Sequence, residues 1–379
     1  MSKGLVSFMR LPDFALWKRF DNKRIPLSFD LEITARCCNN CRHCYINLPP
    51  DNRTALRDEL TLEEIGNLAD QAASLGSLWC LITGGEPLIR EDFLDIYRLL
   101  KKKGLLVSVF TNACLITEKH IKLFRDYPPR DIEVTIYGAT EETYERVTRM
   151  PGSYVAFRRG LDQLLEGGIK VDLKTMALRS NARELPAIAR FCSERTRDLF
   201  RFDPILQLRF DGNEERNEEI RAERLSAEEI IAIDEADPKR SAALEKRCSK
   251  PEMAILSQEV TDRLFQCSAG GDSFAVSYNG FFRLCPSLWE RDCLYNLRQG
   301  TLADAWFDFV PRVLARTSTN HEFLERCCIC PLMNQCQWCP AQAYLECGRM
   351  DEWCEYFCRV THIRAETFGK RESAAPKEI

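Results

Sequence analysis

The chain lacks any run of about 18 apolar residues, so no segment reads as a membrane-spanning helix. A signal-peptide core is also missing: Arg10 and Asp13 interrupt the first apolar stretch, and no small-residue cleavage site follows. Nor is there an excess of charge of one sign. The 53 Lys and Arg are scattered among 57 Asp and Glu for a net charge of −4, which excludes an extended phosphate-binding surface for nucleic acid. No internal repeat is present beyond the strand and helix units described below. These absences leave a globular protein, expected in the cytoplasm, whose 379 residues have room for two or three units.

What is present in excess is cysteine, 19 in all. In a reducing compartment, clustered thiols point to metal rather than to a disulfide framework. Their distribution is uneven. Four fall in the stretch CCNNCRHC (Cys37–Cys44), only Cys80, Cys114, Cys192 and Cys248 occupy the long middle, and eleven crowd into residues 267–358.

Apolar, β-rich runs recur at 27–34, 78–83, 105–111, 131–136, 169–176 and, less regularly, 204–210. Amphipathic helical patterns alternate with them at 61–75, Arg90–Lys103, Thr117–Asp126, Ser153–Glu166 and Arg183–Arg197, the first opened by a Thr61/Glu64 capping box. Strand then helix, repeated about six times, predicts an α/β parallel barrel or doubly wound sheet, in which chemistry gathers at the C-terminal ends of the strands. Those ends carry the cysteine stretch, TGGEPL (83–88), TNAC (111–114) and YGAT (137–140).

Cys37, Cys41 and Cys44 have the spacing C-x3-C-x2-C, three thiolates for one corner of an iron–sulfur cubane with one iron left open. The alternative is a zinc knuckle, which needs a fourth ligand that only Cys38 or His43 supplies locally. This spacing, an aromatic Tyr45 after the last cysteine, and GGEP about forty residues on together resemble the radical S-adenosylmethionine (SAM) enzymes. The resemblance implies a partial (β/α)6 TIM-like barrel over residues 27–211, in which Cys37, Cys41 and Cys44 hold a SAM-binding 4Fe-4S cluster. It also implies that Gly84, Gly85, Glu86 and Pro87 serve the methionine end of SAM, and that Thr111, Asn112 and Thr135 serve its ribose. The expected chemistry is reductive cleavage of SAM to a 5′-deoxyadenosyl radical that abstracts a substrate hydrogen.

The C-terminal third carries a second signal. Cys267-x12-Gly280-x4-Cys285 lies on an apparent hairpin with a two-residue Asn279-Gly280 turn, followed by Cys327-x2-Cys330-x5-Cys336-x2-Cys339 and by Cys354 and Cys358. These spacings resemble the SPASM extension of radical SAM enzymes, a Cys-rich auxiliary-cluster domain expected at 263–368. By that resemblance, Cys267, Cys285 and Cys339 ligate a first auxiliary 4Fe-4S cluster, open at one iron or completed by Cys293, Cys354 or a substrate atom. Cys327, Cys330, Cys336 and Cys358 ligate a second. A pair of zinc ribbons, or an electron-transfer or zinc-binding interaction module without SAM chemistry, is the alternative from another class. Residues 1–26 read as an N-terminal arm packed on the barrel, although Phe8, Leu11, Phe14, Leu16 and Trp17 would also suit a surface-seeking helix. Residues 212–262 read as a charged helical connector or lid, and 369–379 as a disordered tail.

For the substrate, the resemblance favours a ribosomally made peptide that is cross-linked or oxidised, with a haem-precursor (tetrapyrrole) or cofactor maturase as the alternative. The 36 residues before Cys37 are too few for the winged-helix domain that holds leader peptides in related enzymes, so a separate leader-recognition protein is expected, together with a low-potential flavodoxin or ferredoxin. Tyr137 stands where sulfatase-maturing members carry an acidic residue, which leaves no family base to name. Cys114 reads as a buried thiol or a hydrogen-atom donor, and Lys174 and Arg209 as carboxylate binders or rim salt bridges.

Overall fold

The computed structural model describes residues 24–196, 201–248 and 262–369. Most of the expected N-terminal arm, the end of the connector and nearly all of the expected tail lie outside the described residues. Six parallel strands run β1 Ser28–Thr34, β2 Trp79–Gly84, β3 Leu106–Thr111, β4 Ile132–Thr135, β5 Val171–Met176 and β6 Arg201–Asp203. Helices α1 Arg53–Asp58, α2 Leu62–Ser74, α3 Phe93–Lys102, α4 Glu118–Asp126, α5 Glu141–Thr148, α6 Ser153–Glu166 and α7 Leu185–Arg195 connect them. This is the partial barrel that the resemblance implies, one of the two arrangements the alternating pattern left open.

Strand β1 shows why the sequence folds this way. Phe29, Leu31 and Ile33 are buried in the main core beneath the helices, whereas Asp30, Glu32 and Thr34 project from the opposite, lumen-facing side. Helix α2 begins at its capping box, with Thr61 Oγ1 accepting from the Glu64 amide at 3.1 Å and Glu64 Oε2 accepting from the Thr61 amide at 2.8 Å.

Three expectations change. The sixth strand lies at 201–203, not 204–210, because Pro204 has no amide hydrogen to extend the ladder. Beyond it the chain runs without regular structure to α8 Glu214–Glu223. The hairpin assigned to the C-terminal unit joins the barrel sheet itself. Its strand β7 Ser273–Val276 pairs in parallel with β1, then β8 Phe281–Arg283 and β9 Tyr295–Asn296 follow antiparallel, giving the order β6-β5-β4-β3-β2-β1-β7-β8-β9. The turn spans Ser277–Gly280 rather than two residues: Phe281 donates to Ser277 Oγ at 3.0 Å, and Gly280 adopts φ +86°.

The connector is helical as expected, with α9 Ala227–Ala236 and α10 Pro238–Cys248 after α8, but it is not a solvated lid. Asp234 on α9 is fully buried and receives Arg364, 2.8 Å away, from the C-terminal helix Glu355–Gly369, as well as Arg240 from α10. A carboxylate so placed needs both guanidiniums, and together they fasten the connector to the cysteine-rich third.

Candidate functional site

The cysteine loop leaves the end of β1 and closes on itself, the Cys37 amide donating to Leu48 O at 2.9 Å and the Leu48 amide to Ala35 O at 2.8 Å. Its tip is fastened to the last turn of α5, where Asn40 N reaches Thr148 O at 2.9 Å and Arg42 N reaches Val147 O at 3.2 Å. Cys37 and Cys41 are buried and Cys44 is half-buried. Burial pushes the Cys41 thiol up, and the charge of Cys44 adds to the shift; Cys37 is raised first by its hydrogen bond with Cys38. Buried thiols that oppose one another's ionisation are stabilised as thiolates by a shared cation, so this trio fits a metal group. Among the described residues no three His, Cys, Asp or Glu side chains converge on a single ion. Ligands of one ion share one coordination sphere, whereas each thiolate of a cubane holds a separate iron.

The Gly84–Pro87 segment lies directly beside this loop. Gly85 N donates to Thr34 O and Glu86 N to Arg36 O, both at 2.8 Å, continuing the β1–β2 pairing past the strand ends. A Cβ at Gly84 would sit 2.1 Å from Thr34 O, and one at Gly85 2.2 Å from Arg36 O, so the glycines are required by the neighbouring backbone before any cofactor is considered. We expect Gly85→Ala to destabilise the protein by about 3 kcal/mol, the scale of overpacking a rigid site. Gly104→Ala, where φ is +85° but nothing lies within 4 Å, should cost about 1 kcal/mol. Chemical denaturation of the two variants checks the difference.

Glu86 carries a carboxyl pushed up to about 8 by burial, with no guanidinium or ammonium beside it among the described residues. It is fully buried, and its carboxylate accepts from Thr111 Oγ1 at 2.7 Å, Asn112 N at 2.7 Å and Leu88 N at 3.1 Å. It therefore ties the ends of β2 and β3 together, and Thr111 is engaged by Glu86. Asn112 faces the cysteines instead, with its Nδ2 3.4 Å from Cys38 Sγ and 3.7 Å from Cys37 Sγ. Thr135 remains on the lumen side at the end of β4. Cys114 is buried, with its thiol 3.7 Å from Asn112 O and 3.6 Å from Ser153 O, as a packed thiol would be. Tyr137 hydrogen-bonds Cys41 and meets His43 at a ring-centroid distance of 5.0 Å with the planes tilted by 60°; the His43 ring is buried and held neutral, pushed down to about 3 by burial.

In the C-terminal third, two further groups of thiols form. Cys339 is pushed up to about 12, by burial first and then by the charges of Cys285 and Cys267. Cys327 is likewise pushed up to about 12, by burial and then by Cys336, Cys358 and Cys330. All four of that second group line an apolar cavity of about 480 Å³ with Ile329, Met333, Trp338 and Trp353. The candidates to complete the first group are engaged elsewhere. Cys293 takes a hydrogen bond from Arg316 at 3.1 Å, and Cys354 lies 3.8 Å from Cys347.

Sequence reasoning missed the barrel lumen. Glu32 and Arg283 form a fully buried ion pair at 2.5 Å, joining β1 to the strand that leads to Cys285. Asp30 sits beside them with its carboxyl pushed up to about 6 by burial. Lys174, across the lumen on β5, pairs with Glu133 at 2.7 Å, and Arg209 pairs with Asp211 at 2.6 Å, so both are internal salt bridges. The signal was present: charged residues at every second position of LSFDLEIT point inward when the other face is covered by helices.

Three comparisons bear on this arrangement. Residues 31–192 match the model of the Radical SAM superfamily. The chain is 26% identical over 365 residues to the Fe-coproporphyrin III synthase of Methanosarcina barkeri, covering 86% of this chain and 88% of that one. It is also 26% identical to the PqqA peptide cyclase of Rhizobium meliloti, over 52% of this chain and 50% of that one. Among solved structures, Streptococcus suis SuiB bound to its precursor peptide SuiA superposes with a TM-score of 0.65 at 16% identity, over 91% of this chain and 78% of SuiB, a likeness of fold. No described helix is long and apolar enough to cross a membrane.

Proposed function

We propose that this chain, a radical SAM enzyme, turns that chemistry on the side arms of a tetrapyrrole. The observation carrying this reading is the extent of the likeness to Fe-coproporphyrin III synthase. At 86% of the chain it runs past the barrel into the cysteine-rich third, whereas the peptide-cyclase likeness covers about half. This reverses the order expected from the motifs alone.

A 4Fe-4S cluster on Cys37, Cys41 and Cys44, with SAM at its open iron, would supply the electron that cleaves SAM to methionine and a 5′-deoxyadenosyl radical. The chain's own groups would do the rest. The backbone at Gly84–Pro87 and the side chain of Thr135 would position SAM over the lumen. Cys267, Cys285 and Cys339, then Cys327, Cys330, Cys336 and Cys358, would hold two auxiliary clusters that receive the electron when a substrate radical is oxidised. Asp30, with its carboxyl pushed up to about 6 by burial, would stand in the lumen wall as a hydrogen-bond donor to a carboxylate arm of the substrate. A low-potential flavodoxin or ferredoxin would be the donor.

The peptide reading is kept as second because a peptide cyclase does match the barrel half; it brings with it a separate leader-recognition partner. Anaerobic incubation with dithionite, SAM and iron coproporphyrin, followed by mass spectrometry, tests the choice. We expect the tetrapyrrole to stimulate 5′-deoxyadenosine formation and to lose mass from its carboxylate arms. Stimulation by a precursor peptide and by no tetrapyrrole would overturn the first reading in favour of the second.

A further inference from the structure

The connector reaches back over the cysteine loop, and two of its neighbouring arginines end on the carbonyls of the thiol-bearing residues. Arg216, on α8, donates through Nη2 to Cys41 O at 2.9 Å and to Asn47 Oδ1 at 3.4 Å. Arg209, just before α8 and almost wholly buried, donates through Nη1 to Cys44 O at 3.3 Å, Asn47 O at 3.2 Å and Asn47 Oδ1 at 3.0 Å. Both guanidiniums are themselves oriented. Arg216 is held by Glu219 at 2.8 Å, and Glu219 in turn grips Arg149, which caps α5 in a left-handed conformation at φ 53°. Arg209 is held bidentately by Asp211 at 2.9 and 2.6 Å.

We propose that Arg209 and Arg216 are positioning residues of the radical-generating centre, acting on its geometry and on its ease of reduction; the proposal rests on Cys37, Cys41 and Cys44 being the cluster ligands. Two consequences follow from the contacts. The loop is fixed from both sides, by the backbone of α5 beneath and by the guanidiniums above, so the ligand sulfurs keep one arrangement whether or not the metal group is bound. A guanidinium bonded to a ligand residue's carbonyl withdraws negative charge from it, and Arg209 and Arg216 each do so while paired to Asp211 and Glu219. A cluster becomes more negative on reduction, so a nearby cation favours the reduced form.

The test compares Arg216→Gln, which removes the charge, with Arg216→Lys, which keeps it, on the anaerobically reconstituted full chain. Redox titration follows the electron paramagnetic resonance signal that SAM perturbs, which belongs to this site alone. Arg216→Gln is expected to shift the reduction equilibrium about tenfold toward the oxidised form, 59 mV for a one-electron couple. Arg216→Lys is expected to restore most of it. If Arg216→Gln does not retain the cluster, the apo-proteins give the second readout: alkylation of Cys41 and Cys44, mapped by mass spectrometry, should be at least severalfold faster than in wild type while the circular dichroism is unchanged. An unshifted potential with full iron content, or an unchanged alkylation rate where the cluster is lost, would overturn the proposal. Cys41→Ala is the separate control for its premise, since survival of the SAM-sensitive signal in that variant would refute the ligand assignment instead.

Discussion

Cys41→Ala is expected to lose SAM cleavage altogether, with 5′-deoxyadenosine under dithionite falling by more than about a thousandfold, the scale of deleting an essential catalytic group. Cys41 is the most enclosed of the loop thiols and the one whose carbonyl, thiol and neighbours are all committed: Arg216 holds its oxygen, Tyr137 its sulfur, and Asn40 and Arg42 on either side of it are tied to α5. Removing its sulfur leaves the loop backbone in place, because those backbone bonds do not involve the thiol. The loss should therefore appear in iron content and SAM-sensitive resonance without a comparable fall in thermal stability. Turnover persisting in this variant would remove Cys41 from the site.

Cys330→Ala is expected to separate two activities that a single site could not separate. Uncoupled SAM cleavage should stay within about threefold of wild type, while product formation falls by about a hundredfold, the range seen when groups that tune a metal centre are removed. The reason is distance in the fold. Cys330 lines the cavity formed by the chain between the connector and the C-terminal helix, whereas the loop at Cys37–Cys44 is held by β1, α5 and α8. Cys347→Ala is the comparison, because Cys347 touches Cys354 and does not line that cavity; it should retain product formation. Equal loss of both activities in Cys330→Ala would mean that the C-terminal thiols serve folding rather than electron transfer.

Much of this architecture was legible because period and spacing are local properties. The strand cores of β1 to β5 and the capped start of α2 follow from alternation and from Thr61 with Glu64. The grouping of the thiols into three sets is what the resemblance implies, with the fourth partner of the first auxiliary set left open. What was hidden depends on partners far apart in sequence. Glu86 reads as a cofactor carboxylate from its motif, but its hydrogen bonds to Thr111 and Asn112, which tie β2 to β3, appear only in the folded chain. The hairpin read as part of a separate domain because nothing in its own residues announces a parallel pairing with β1. The charged connector hides an internal ion pair, because the burial of Asp234 between Arg240 and Arg364 has no local signature.

The central claim is a radical SAM site served by two auxiliary clusters, and metal content with electron paramagnetic resonance tests it most directly. Anaerobically reconstituted protein should hold about twelve irons per chain, four for each of three cubanes, with one signal changed by SAM and the others not. About four irons accompanied by zinc, with the only resonance responding to SAM, would contradict the account and leave the cysteine-rich third as a structural domain.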